Sequence, residues 1–458
     1  MTVQTQRVVV AQDGKDIPSA TALPAGGWGI RGWLSAIYTK LSASVAVSGP
    51  LTDTQLRATA VPIQLGSENL SPFNDLISVT LTPLVQVDFV YGINSQQGAV
   101  AIVTTGVGDT STGRLRLQTG TGAAGSAIYT SRRSAQYRPG QGLVWRGTSP
   151  FTAGVANSIQ LAGAGSATDG YFFGFNGTAF GIAHRNNSAT PTWVAQTVWN
   201  GDKCDGAGAS AFNWVDKTKG VPLQIMYPYL GYGNITFWVQ DPLTSRWILC
   251  HTIRYANSST STQIRVPDLY IRYEATNTGN TTNLIVYGGS AAIFICGSYS
   301  LLAMPKWAAD SNKAAITTET VLLSIRNATV YNTVTNQGLI RINSVSFSST
   351  ANNGVAILRF KVGATVGGTP AFATINGTTA DNGVSITAGN SLASIDTAGT
   401  TVTGGTYIFN MTIGSPGNDT IDVQDLGIFV APGETLTISG FSTASTTLGV
   451  GVNWTEDS

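Results

Sequence analysis

The chain has 458 residues, a length that suggests about three domains. Only 11% of the residues are charged, against roughly 25% in an ordinary soluble domain, and the net charge is +1. This balance gives no electrostatic reason to expect nucleic acid or an anionic membrane as a partner. A surface so poor in charge is a weak guarantee of solubility for a free monomer. It predicts a subunit packed against copies of itself or against a larger particle. No apolar run approaches the ~18 residues of a membrane span, so no membrane insertion is expected. The start, Met1 to Arg7, lacks the basic, apolar and small-residue regions of a signal peptide, which predicts synthesis and assembly in a cytoplasm.

Residues 1–66 read as an N-terminal anchor. Within Gly32–Leu41 the residues Trp33, Ile37 and Leu41 stand at i, i+4 and i+8, with Leu34 and Tyr38 beside them. That is a narrow apolar stripe on a short helix. A helix of about ten residues is marginal alone in water, so the stripe packs either on its own chain or on a partner. Trp33, Leu34, Ile37 and Leu41 are the candidate assembly residues. Thr52 followed by Gln55 fits a capping box, bounded by Pro50 and Pro62.

Residues 67–300 read as a β-sandwich of jelly-roll type. β-branched and aromatic runs are separated there by Gly, Asn and Asp, the pattern of short antiparallel strands joined by turns. Arg114 to Gln118 alternates as a half-exposed strand does. Asn176-Gly177 predicts a two-residue hairpin loop, and Gly231 and Gly233 predict a bend. Of the ten Trp, six lie between Ser131 and Cys296, which places the main core in this region.

Residues 301–316, rich in Ala, Asp and Asn, read as a linker. Residues 317–458 read as a second β-sandwich, so the expected fold class is all-β with two sandwiches behind a short helical anchor. Leu448, Val450, Val452 and Trp454 alternate and predict one buried face.

Chemistry is sparse. The three cysteines show no metal spacing and read as small buried hydrophobes. Of the two histidines, His251 follows Cys250 directly, so the two side chains point to opposite faces of a strand and form no nucleophile–base pair. The five Glu are scattered, whereas a glycosidase needs two acids facing one groove. Asp422 and Asp425 read as turn residues; calcium at Asp419, Asp422 and Asp425 is the one metal reading left open, without EF-hand spacing behind it. No catalytic residue, metal site or cofactor is therefore expected. Tyr227, Tyr229 and Tyr232 are the candidates for stacking on sugar rings, because Pro228, Gly231 and Gly233 interrupt their run; filling the core is the competing role.

Three stretches carry a resemblance. Pro50-Leu51-Thr52-Asp53-Thr54-Gln55-Leu56-Arg57-Ala58 to Val61-Pro62, following Gly32 to Tyr38, resembles a linker of bacteriophage tail-fibre and virion structural proteins. Arg132-Arg133 to Tyr137-Arg138-Pro139-Gly140 is similar to the opening of a module in phage and large-virus structural proteins, with Ala135-Gln136 departing from the pattern. The run Val430 to Thr437 resembles part of a C-terminal phage β-sandwich, and the order of the central strands is similar to a laminin-G or legume-lectin jelly roll. The resemblance implies a non-enzymatic virion subunit of a tailed phage. It would be a homotrimeric tail-fibre-like appendage that contacts other virion proteins and a host surface glycan. Capsid decoration (cement or head fibre) and a carbohydrate-binding or depolymerase module are the alternatives.

Overall fold

Period-two alternation governs the structure, a computed structural model that describes residues 81–299, 304–376 and 390–457. All of these residues belong to one compact unit, 66–458. The expected helix with Trp33, Leu34, Ile37 and Leu41, and the rest of 1–66, lie outside the described residues. The regular structure of the described residues is strand, with 3-10 turns at Gln196–Val198 and Gln424–Leu426. The chain is all-β.

Sixteen strands build the central sandwich. The first six are β1 (Leu81–Val87), β2 (Gly98–Val103), β3 (Val107–Ser111), β4 (Arg114–Gln118), β5 (Ser126–Ser131) and β6 (Leu143–Thr148). Then come β7 (Ser158–Gly165), β8 (Gly170–Asn176), β9 (Ala179–Arg185), β10 (Thr192–Ala195) and β11 (Pro222–Tyr227). The last five are β12 (Ile235–Gln240), β13 (Trp247–Ile253), β14 (Ile271–Asn277), β15 (Ile285–Gly288) and β16 (Ala291–Cys296). One layer is a six-stranded sheet in the order β1-β16-β6-β11-β12-β13, and the other is seven-stranded, β10-β9-β8-β7-β14-β5-β2. A three-stranded sheet, β15-β4-β3, adds Leu115, Leu117 and Val286 to the same core.

The core between the layers is aromatic. Phe173 of β8 meets Phe237 of β12 edge to face at 5.4 Å, and Tyr171 of β8 lies 5.2 Å from Tyr227 of β11. Such pairs add about 0.5–1.5 kcal/mol beyond the area they bury. The β8–β9 hairpin forms where Asn176-Gly177 predicts it, one residue along. Asn176 pairs with Ala179, so Gly177 and Thr178 make the loop, and Gly177 supplies the positive φ of +58°.

In the C-terminal sandwich the 24-residue strand Leu339–Val362 is the axis. Its first part pairs with Thr446–Asp457 and its last part with Thr435–Ser442, while Thr406–Asp422 runs along it on both sides of a break between Ser349 and Gly354. Leu448, Val450, Val452 and Trp454 are all buried in this core, each contributing about 1.5–3 kcal/mol. The linker expected at 301–316 is not a linker over its described part: Lys306–Ile316 is an edge strand paired with Thr446–Asp457. Its composition misleads because one face is exposed and polar or small, while the covered face mixes Trp307 and Ala309, which pack on the core, with Ser311 and Lys313.

Arginines join the two sandwiches. The Arg132 guanidinium donates twice to the Glu434 carboxylate and lies 4.6 Å from the Phe429 ring. Asp457, wholly buried, accepts from Arg138, from Arg341 at 3.0 Å and from the Tyr299 hydroxyl. Ser134 Oγ donates to the Gln337 carbonyl at 2.8 Å. The motif Arg132 to Gly140 is thus the joint between the sandwiches, and its unusual pair Ala135-Gln136 faces inward, with Gln136 Nε2 donating to the Gln337 carbonyl at 3.2 Å. Burial pushes the Arg133 guanidinium down to about 10, and Arg341 adds repulsion.

Breaking the Asp457 node strands two arginines. Asp457→Ala should cost about 3–5 kcal/mol, read as an earlier urea midpoint; an unchanged midpoint would show that the node holds nothing. Asp268 gives a pH signature at the same joint. Burial pushes its carboxyl up to about 7, helped by Asp457 and opposed by the Tyr137 N–H, which donates at 2.7 Å, and by Arg138. A carboxyl raised on folding favours the folded state fully below its unfolded value, near pH 4, and that contribution is lost as pH rises through about 7. Asp268→Asn keeps the acceptor and removes the titration. Its melting temperature should therefore gain on the wild type between pH 4 and 8; parallel pH profiles would refute this.

Candidate functional site

The outer face of the six-stranded sheet carries the open site. Strand register sets one row of side chains across it: Gln86 opposite Ala292, Ala292 opposite Arg146, Arg146 opposite Gln224, Gln224 opposite Trp238 and Trp238 opposite Leu249. Ala292 is the small member of this row. A groove of about 570 Å³ at this end of the row is lined by Gln86, Asp88, Gln97, Arg146, Thr148, Ser290 and Ala292, among others.

Arg146 stands at one side of this groove. Its Nε donates to Gln224 Oε1 at 2.7 Å. Its guanidinium carbon lies 5.5 Å from the Trp247 ring and 5.8 Å from the Phe294 ring. Trp247 and Phe294 are half-buried and pack on the buried cluster Val144, Met226 and Trp238. Burial pushes the Arg146 guanidinium below its ordinary value, with the Cys296 thiol acting the other way. No carboxylate of the described residues pairs with it. A guanidinium presents five N–H donors in a planar fork, and only Nε is engaged here. Aromatic faces beside a cation and a rim of amides and hydroxyls suit a polar ligand with an apolar face.

The opposite outer face is closed. Leu161, Phe172 and Ala183 of the seven-stranded sheet are buried. Glu274 is held there between Arg185, at 3.1 Å, and Arg272, at 3.1 Å. Burial pushes the Glu274 carboxyl up, but the two arginines outweigh it and hold it below the ordinary value.

The three candidate tyrosines separate. Tyr227, expected as a stacking residue, is wholly buried because its strand position faces the core, so no sugar reaches it. Tyr229 is half-buried, donates to the Ile264 carbonyl at 3.1 Å and meets Tyr137 edge to face at 5.1 Å. Tyr232 is 42% exposed and donates to the Thr260 carbonyl at 3.3 Å. The three do not form a shared platform. Neither histidine sits in an acid–base arrangement: His184 bonds the Gln263 carbonyl and stacks on Tyr171, and His251 Nδ1 accepts from the Asn200 N–H at 3.2 Å.

Cys204 and Cys250 are buried with their sulfurs 3.5 Å apart, a proximity their spacing does not announce. Beside them Lys217 is buried over the rings of Phe180 and Trp214 and donates to the Trp214 carbonyl; burial pushes its ammonium down to about 8. Among the described residues no group of three or more His, Cys, Asp or Glu could hold a metal ion. No described helix is long and apolar enough to cross a membrane.

The groove was missed in the sequence because its parts come from β1, β6, β11, β13 and β16. One local signal exists: Arg146 interrupts the apolar run Leu143-Val144-Trp145 at a position that strand alternation assigns to the outer face.

The chain matches no family model and no curated protein. Part of it is similar to solved structures. Arcelin-5, a lectin-like defence protein from Phaseolus vulgaris, is 10% identical over 47% of this chain and 99% of that one, with a TM-score of 0.30. A legume lectin-like domain from Entamoeba histolytica is 13% identical over 45% and 95%, with a TM-score of 0.29. A lectin from Bauhinia forficata, solved in complex with GalNAc, is 12% identical over 47% and 99%, with a TM-score of 0.30. Likenesses at these TM-scores leave open what this chain does.

Proposed function

We propose that the protein is a non-enzymatic glycan-binding subunit whose groove over the six-stranded sheet takes a sugar. The observation that carries this is Arg146, half-buried between Trp247 and Phe294 and without a carboxylate partner among the described residues, at the edge of an open groove rimmed by Gln86, Gln97, Thr148 and Ser290. A sugar ring has one apolar face for an aromatic ring and an edge of hydroxyls for amides and hydroxyls. Asp88 is the one carboxylate of the lining, whereas glycoside cleavage uses two acids across the bond. Trp247→Ala should weaken glycan binding about 3- to 10-fold, measured on immobilised glycans, while Tyr232→Ala leaves it unchanged. Equal binding by wild type and Trp247→Ala would remove the groove from the account.

The wider setting is the one implied by the resemblance of residues 32–63: a homotrimeric attachment appendage on a tailed phage. The low charge of the chain supports a life in an assembly. Antibody against the protein should then block adsorption to the host, and light scattering should give a trimer. A monomer that labels the capsid and leaves adsorption intact would favour the head-decoration alternative or the free sugar-binding module.

A further inference from the structure

We infer that the sugar taken by the groove is an acidic one, a glycan bearing a carboxylate such as a uronic or sialic acid, with the carboxylate seated on Arg146. This rests on the groove being a glycan site and goes on to name the class of sugar.

Seven arginines of the described residues sit in ion pairs: Arg116, Arg132, Arg138, Arg185, Arg272, Arg341 and Arg359. Arg146 is partly desolvated as several of these are, yet its one polar partner is the neutral Gln224 amide. Gln224 engages Nε and fixes the fork. The terminal nitrogens have no hydrogen-bond partner among the described residues, and the groove opens beside them. A planar fork whose two terminal nitrogens are free matches a carboxylate bidentately, and such charge-assisted pairs are about twice as strong as neutral ones. Partial burial strengthens the attraction by lowering the local dielectric. The rings of Trp247 and Phe294, 5.5 and 5.8 Å from the guanidinium carbon, flank the fork, and the glycan array separates a carboxylate from a sulfate. Asp88, the other charged group of the lining, accepts from the Val90 N–H at 3.3 Å and forms no ion pair with Arg146. The groove therefore holds one cation and one anion at separate positions, a pattern suited to a monoanionic sugar whose hydroxyls reach the Asp88 side.

The test is an array of neutral, uronate-bearing, sialylated and sulfated glycans probed with the full chain. Calorimetry then compares the best acidic glycan with its methyl ester. Carboxylate-bearing glycans should dominate the positives, the ester should bind about 10- to 100-fold more weakly, and added salt should narrow that gap. Arg146→Gln should bind acid and ester alike, at the level of the ester on the wild type, and Arg146→Lys should recover part of the preference. Positives confined to neutral or sulfated glycans, or equal affinity for acid and ester, would overturn the carboxylate assignment and leave the groove as a sugar site. Absence of any glycan binding, or acidic binding that survives both Arg146→Gln and Trp247→Ala, would overturn the groove itself. Thermal unfolding of each variant separates lost binding from lost fold.

Discussion

The Asp457 carboxylate is the point on which the described structure turns. It is wholly buried, and it gathers Arg138 and Tyr299 from the central part of the chain with Arg341 from the C-terminal sandwich. Two arginines without it would be partly buried cations with nothing to oppose them, a costly state in a medium of low dielectric. With it, two sandwiches that each have a core of their own are joined. Arg132 and Glu434 repeat the device a few residues away. Two of the nine ion pairs among the described residues, Arg132–Glu434 and Arg138–Asp457, cross from one sandwich to the other.

The candidate site depends on a different constraint, strand register. Gln86, Ala292, Arg146 and Gln224 share a row only because β1, β16, β6 and β11 pair as they do. A slip by one residue would send Arg146 into the aromatic core and Trp145 to the surface. Trp145, fully buried on the inner face, forbids that slip. The core thus fixes the register that builds the groove.

Much of the architecture was legible in the sequence. The alternation of Leu448 to Trp454 and the hairpin signal Asn176-Gly177 are local; the first appears as expected and the hairpin forms one residue along, with Gly177 and Thr178 as its loop. The strand Lys306–Ile316 was not legible, because an edge strand with one exposed face rich in Ala, Asp and Asn has the composition of a linker. The groove was not legible either, since its residues lie more than 200 positions apart from Gln86 to Phe294 and meet through pairing alone. The tyrosines show the limit of loop arguments: Tyr227 belongs to the strand β11 and Tyr232 to the loop after it, and five positions separate a core residue from an exposed one. The motif at Arg132 to Gly140 stood out in the sequence, but its work is to bind one part of the chain to another.

The clamp also orders events during synthesis. Arg138 and Asp457 are 319 positions apart, and Arg132 and Glu434 are 302. Every strand of the central sandwich precedes Glu434 and Asp457 in the chain, so its arginines can meet these partners only once the second sandwich has been made. Until then Arg132 and Arg138 lack the carboxylates that hold them in the folded unit.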